Sequence, residues 1–218
     1  MRCSVWFAAL VAMIALTACA TTDSDVANDE GASTSAESRL APGFSPEPSL
    51  VLCPRMSVSN APRTDADRQV LGYVPFARVN NVRVLINPAP KSCLSSNFGY
   101  RNGRLHKGID LQSQPAGPVV AAGAGTVVES GYRNDYGNYV LIQHADSVFT
   151  RYAHLRSITG EAQEGRSVQM GTVLGIMGNT ASYSIPIHLH YEVLAGDYDT
   201  PKGAFGLTPI DILQSADR

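Results

Sequence analysis

Two histidines placed two residues apart, His188 and His190 in IHLHYEVL, are the first sign of chemistry in this 218-residue chain. On a strand, alternate side chains leave the same face, so both imidazoles address one site while Leu189, Tyr191 and Val193 face the other way. On a helix the same spacing would splay them apart, and the alternation of Ile187, Leu189, Tyr191 and Val193 favours the strand. A second pair, His106 and Asp110 in HKGID, adds a nitrogen donor and a carboxylate oxygen, ligand types that zinc takes at about 2.0 to 2.2 Å. Four residues of straight strand would hold that pair roughly 13 Å apart, too far for one ion, so the chain must bend between them. Gly108 permits the bend. All five histidines fall between positions 106 and 190; the remaining two, His144 in LIQHADSVF and His154 in TRYAHL, lie on neighbouring predicted strands, and composition does not separate their roles. Taken alone, an HxxxD or HxH string is weak evidence, and a half-buried strand whose polar face carries histidine is the bland alternative.

The elements that must position these residues are short and β-like. After Lys91 the chain runs through GTVVESGY, NYVLIQHA, VFTRYAHL, GTVLGIMG and HLHYEVL, separated by glycine-rich turns. The expected product is a mainly β, compact antiparallel domain over residues 91–218, with the segment AGDYDTPKGAFG as a loop and the closing TPIDILQSA as one short helical turn or helix. Residues 50–90 read as a small extension packed on that domain, with a strand-like run at Asn81 to Ile86. The formal net charge of -2 supplies no basic field, which speaks against nucleic acid as a partner.

The stretches SSNFGYR, HKGIDLQ, PVVAAGAGTVV, YGNYVLIQHADSVFTRYAHL, GTVLGIMGNT and HLHYEV, in this order and at these spacings, resemble the lysostaphin-type or LytM-type zinc endopeptidases over roughly Ser95 to Leu213. The resemblance implies a zinc-containing groove on a β domain, with one zinc held by His106, Asp110 and His190. It leaves His154 and His188 for the substrate and the activated water, without assigning which is the general base. It also implies peptidoglycan peptides as substrate. His144 matches a position often histidine in that family and is expected to make structural hydrogen bonds; Glu192 shares the strand face of the pair and has no motif role. Many relatives carry a Gly-Pro step before the HxH pair where this chain reads SYSIPIHLHYEV, so the loop from Thr180 to Ile187 is expected to shape a different groove wall. Some relatives with LytM-type domains have lost metal ligands and activate cell-wall amidases. That makes a non-catalytic regulator, with an amidase as partner, the competing expectation. A glycine-rich β module related to barrel-sandwich carriers or adaptors, suggested by GTVVESG and GTVLGIMG, is a third reading, which leaves the ordered His/Asp set unexplained.

The N-terminus reads as an export signal: Arg2 precedes an apolar stretch from Val5 to Leu16, too short to span a membrane comfortably. Leu16-Thr17-Ala18-Cys19 resembles the lipobox of bacterial lipoproteins, which implies a signal peptide over 1–18 and lipidation of Cys19. Each buried methylene of such an anchor contributes about 0.8 kcal/mol to membrane attachment. An ordinary signal peptide cleaved nearby, or an uncleaved anchor, is the alternative. Residues 19–49 run through Thr, Ser, Asp, Ala, Glu and Pro and are expected to be a disordered linker. Cys3 leaves with the signal and Cys19 is modified, so Cys53 and Cys93 remain, as a disulfide in an oxidising compartment or as two buried thiols. Together these features predict an exported lipoprotein. It faces the periplasm from the outer membrane, because Ala20 is not the Asp that resembles an inner-membrane retention signal, or lies at the cell surface where there is a single membrane.

Overall fold

The computed structural model describes residues 40–54, 61–200 and 205–215. The expected signal peptide, the lipidation site Cys19 and most of the linker therefore lie outside the described residues.

The described chain is built almost wholly from strands. They are β1 (Phe76–Val79), β2 (Val82–Leu85), β3 (Cys93–Ser96), β4 (Gly99–Arg101), β5 (Arg104–His106), β6 (Ile109–Gln112), β7 (Pro118–Val120) and β8 (Gly125–Arg133). There follow β9 (Gly137–Gln143), β10 (Val148–Leu155), β11 (Ser157–Ile158), β12 (Ser167–Val168), β13 (Val173–Ile176), β14 (Leu189–Thr200) and β15 (Phe205–Ile210), with one 3-10 turn at Gly160–Ala162. The main sheet runs β12-β8-β9-β10-β14-β6-β3, with β15 on β14, and its pairings are antiparallel. β14 is the axis of the fold: residues Leu189 to Tyr191 pair with β6, and Val193 onward pairs with β15 along the same edge.

Alternation sorts the two faces of this sheet. Ile109, Leu111, Val127, Val140, Ile142, Tyr152, Leu189, Tyr191 and Val193 point into the main core and are at most 1% exposed. Leu50, Ala77, Val79, Val84, Leu85 and Ile86 belong to the same core, so the segment before residue 91 fills part of the domain's interior. The Tyr191 hydroxyl donates to the Leu85 carbonyl at 2.9 Å, so this buried phenol has a partner. The opposite face carries polar residues around Asp110, His190, Glu192 and Arg151. Beyond them lies a second small apolar cluster of Leu141, Phe149 and Leu194.

Two expectations change. The segment AGDYDTPKGAFG is no loop at its ends: β14 continues through Thr200 and β15 begins at Phe205, giving an extended hairpin. Tyr198 secures it by packing against Phe149, with ring centroids 5.7 Å apart, and by donating its hydroxyl to Glu129 at 2.6 Å. In the closing segment, Thr208, Pro209 and Ile210 are strand, and only Asp211 to Ser215 turns, with the amides of Gln214 and Ser215 both donating to the Asp211 carbonyl.

Cys53 and Cys93 form a disulfide across a sequence separation of 40. It joins the segment at Leu50 to the start of β3, where the Cys53 amide also donates to the Leu94 carbonyl at 2.9 Å. Closing a loop of that length restricts the unfolded chain and is worth about 3 to 4 kcal/mol. The double variant Cys53→Ser/Cys93→Ser is therefore expected to lose about that much stability, measured as a lower guanidinium midpoint for chemical unfolding. An unchanged midpoint would show that the bridge adds nothing to hydrogen bonds already in place.

Candidate metal centre

His106 ends β5 and Asp110 lies one residue inside β6, and the bend between those strands brings their side chains together. Gly108 sits at the bend for a reason of space: a Cβ there would collide with the Tyr191 carbonyl of β14. On β14, His190 is directly opposite Asp110 in the ladder. As a result His106 Nε2, Asp110 Oδ1 and His190 Nδ1 lie 3.0 Å from one another in all three pairs, and the three residues are buried together.

The outer atoms of the three side chains decide what the inner atoms are. His106 Nδ1–H donates to the Asn97 carbonyl at 2.7 Å, which leaves Nε2 as a lone pair. His190 Nε2–H donates to Glu192 Oε1 at 3.0 Å, which leaves Nδ1 as a lone pair. Asp110 Oδ2 takes Arg101 Nη1 at 3.3 Å, an arm also held by Ser96 Oγ at 2.7 Å, and this aims Oδ1 inward. With both rings in these neutral tautomers, two imidazole lone pairs and a carboxylate oxygen converge on one point. Such a set repels itself unless a proton or a metal cation sits among its members, and the mixture of nitrogen and oxygen donors suits zinc.

The electrostatics agree. Burial alone would raise the Asp110 pKa, but hydrogen bonds and charge from His106 and His190 hold it well below the usual carboxylate range. Burial alone would lower His190, yet its bonds to Asp110 and Glu192 and their negative charges raise it to about 9. The field that favours a proton at that ring favours any other cation there. Glu192, fully buried, is lowered to about 2 against its own desolvation by His190, by Arg151 and by the Tyr136 hydroxyl. Arg151, opposite Glu192 in the β10–β14 ladder, forms an ion pair with it, and Tyr136 donates to Glu192 Oε1 at 2.9 Å.

His188 and His154 complete the constellation without joining the three. His188 lies just before β14, where its amide donates to the Gly178 carbonyl and its Nδ1–H to the Pro186 carbonyl, and its Nε2 is 3.8 Å from Asp110 Oδ1. His154 donates Nδ1–H to the Thr180 carbonyl at 2.9 Å, and its ring centroid is 4.8 Å from that of His188. Burial lowers the pKa of both, His154 to about 4. Both rings are therefore neutral near pH 7, each with its Nε2 lone pair available.

His144 is elsewhere, on the core side. The Ala122 amide donates to the Tyr152 hydroxyl, which donates to Thr150, which donates to His144 Nε2, and His144 Nδ1–H ends the chain on the Ala124 carbonyl. Each group in this chain has a partner, and burial lowers the His144 pKa. Its place is structural.

Residues 104–201 match the sequence profile described as peptidase family M23. The chain is 40% identical over 113 residues to the DD-carboxypeptidase/endopeptidase Mpg of Neisseria meningitidis serogroup B, covering 49% of this chain and 25% of that one. It is 36% identical over 138 residues to the peptidoglycan DD-endopeptidase ShyC of Vibrio cholerae serotype O1, covering 60% and 31%. The chain thus spans only a quarter to a third of the length of these relatives. Among solved structures, a zinc-containing peptidase from Vibrio cholerae aligns with a TM-score of 0.49 at 26% identity, over 63% of this chain and 40% of that one.

Metal analysis separates ligands from bystanders. His106→Ala, Asp110→Ala and His190→Ala are each expected to lose bound zinc, and His154→Ala and His188→Ala to retain it. Glu192→Gln, which keeps an acceptor but removes its charge, is expected to weaken zinc binding about 10- to 100-fold. Chelator competition on folded protein reads all six; equal affinity across the set would contradict the assignment.

Proposed function

We propose, from the match of residues 104–201 to the peptidase family M23 profile, that the chain is a zinc-dependent endopeptidase hydrolysing peptide bonds in peptidoglycan stem peptides or cross-links, at work in cell-wall remodelling or division. The observation that carries this reading is the division of labour on one face of the sheet. Three donor atoms, 3.0 Å apart, face inward at His106, Asp110 and His190, and two neutral imidazoles, His154 and His188, stand beside them with Nδ1 already committed to backbone carbonyls.

Three protein ligands leave a position open, which is the pattern of a catalytic rather than a structural zinc site. Zinc held there would polarise a scissile carbonyl and lower the pKa of a coordinated water towards 7. The protein's own residues supply the rest. Asp110, fixed by Arg101, brings the negative charge that retains the cation. His154 and His188 each present an Nε2 that can take a proton from water and later return it to the leaving amine, while the protonated ring stabilises charge developing on the carbonyl oxygen. Glu192 and Arg151 are further back and hold His190 in its orientation.

The relatives named for DD-endopeptidase activity support a wall-peptide substrate. An envelope location is supported by that substrate class and by the lipobox-like LTAC at Leu16 to Cys19. We propose lipidation at Cys19 with residues 19–49 as tether, so that the catalytic domain reaches the wall from a membrane surface, facing the periplasm in a bacterium with two membranes.

Digestion of purified sacculi with the mature protein, followed by mass spectrometry of the released muropeptides, tests the reading and identifies the bond cut. Fragments that disappear on chelation and return with added zinc are expected, together with loss of turnover in His154→Ala and His188→Ala. A zinc-loaded protein that releases nothing and instead stimulates a cell-wall amidase would replace the peptidase reading with the regulatory one.

A further inference from the structure

His154 is in a place that a regular strand would not give it. Along β10 the side chains of Arg151 and Ala153 lie opposite Glu192 and His190 on the metal face, and Tyr152 points into the core. Continued alternation would send His154 to the core side with Tyr152. Two departures from the strand turn it round. The β9–β10 register steps from Tyr152 opposite Val140 to Leu155 opposite Asn138, three residues against two, so one extra residue bulges out of β10. His154 itself has φ +64, in the left-handed region that a residue other than glycine seldom occupies without being held there.

The groups that hold it come from two loops. From the β8–β9 turn, the Tyr136 carbonyl accepts the His154 amide at 2.8 Å. From the loop after β13, the Thr180 carbonyl accepts His154 Nδ1–H at 2.9 Å. The Thr180 hydroxyl fastens these parts to one another: it donates to the Leu155 carbonyl at 2.8 Å and accepts the Asn138 amide at 2.9 Å. Asn138 Nδ2 donates to the same Leu155 carbonyl at 3.0 Å. Gly137, at φ +60, makes the approach possible, since a Cβ there would overlap the Thr180 backbone and hydroxyl. The same loop also fixes the second imidazole, through the Gly178 and Pro186 carbonyls that bind the His188 amide and Nδ1–H.

We infer that Thr180 is the positioning residue for His154, and that the loop from Gly178 to His188 aims both imidazoles at the reacting atoms. The inference rests on the peptidase reading for its catalytic consequence, and on hydrogen bonds alone for its structural one. With the Thr180 carbonyl on Nδ1–H, the ring keeps its lone pair on Nε2 and cannot swing back towards the core. With the hydroxyl bridging Leu155 and Asn138, the bulge keeps its shape when substrate presses on it. Thr180 touches none of the three donor atoms at the metal centre, so its loss separates alignment from metal binding.

The test compares Thr180→Val, which keeps the shape and loses the hydroxyl, with Thr180→Ser, which restores it, in the full-length protein loaded with zinc. For a peptide released from sacculi, Thr180→Val is expected to lower kcat by up to about 100-fold with KM and zinc affinity little changed, and Thr180→Ser to recover most of the loss. In nitrogen-15 spectra, the His154 Nδ1–H signal is expected to be slow to exchange in wild type and Thr180→Ser, and to exchange rapidly in Thr180→Val. If Thr180→Val does not fold, Thr180→Ala, which adds no bulk beside Gly137, takes its place in the comparison. Unchanged kcat with an unchanged His154 signal overturns the inference; so does a parallel loss of zinc affinity, which would mark Thr180 as general scaffolding. A wild-type protein with no turnover would defeat the peptidase reading alone, and the His154 signal would still decide whether Thr180 holds that ring.

Discussion

Three acceptor atoms forced to within 3.0 Å of one another set the terms for the rest of this structure. Two imidazole nitrogens and a carboxylate gather this closely in a buried place only around a shared proton or metal cation, and the surrounding chain must hold them there. β6 and β14 do this by strand register, which puts Asp110 opposite His190. The Asn97 carbonyl, Glu192 and Arg101 do it by occupying the outward atoms of His106, His190 and Asp110. Behind the first of these supports, β3 is tied by the Cys53–Cys93 bridge to a segment that shares the main core.

The metal face has a gradient of burial and charge that follows from the same constraint. Glu192 is wholly buried, and an isolated carboxylate there would be costly, so Arg151 neutralises it and Tyr136 takes up further acceptor capacity. The result is an ionised acceptor for His190 Nε2–H, kept in a buried place by Arg151 and Tyr136. His154 and His188 differ from the three donors by having backbone carbonyls rather than acids on Nδ1. A carbonyl fixes the tautomer and leaves the ring easy to keep neutral, which is what a proton acceptor needs.

Much of this was legible in the residues, for reasons that differ from place to place. The strand carrying His190 shows itself through Leu189, Tyr191 and Val193, because a core face with period two leaves a clear pattern. The bend between His106 and Asp110 follows from distance alone, although the reason for Gly108 does not: it is the Tyr191 carbonyl, 83 residues further along, that excludes a side chain. Glu192 lies two residues from His190, and the same alternation puts it on that face, but nothing in the sequence pattern assigns it the His190 Nε2–H. Arg151 could not have been placed that way, since only the β10–β14 register makes it the partner of Glu192. Nor could Asn97, which acts through its backbone carbonyl, or the aim of His154, which depends on a bulge and two distant loops. The hairpin of β14 and β15 was hidden because its Gly, Asp and Pro residues look like turn punctuation, while Tyr198 supplies the packing that keeps it extended.

The claim on which everything else turns is that His106, Asp110 and His190 hold one zinc and leave it a free position. Crystallography of the zinc-loaded protein with anomalous scattering at the zinc edge tests this directly. A single peak bonded to His106 Nε2, Asp110 and His190 Nδ1 is expected, with the remaining position taken by solvent. A peak closed off by a fourth protein ligand, or zinc bound away from these three side chains, would contradict it.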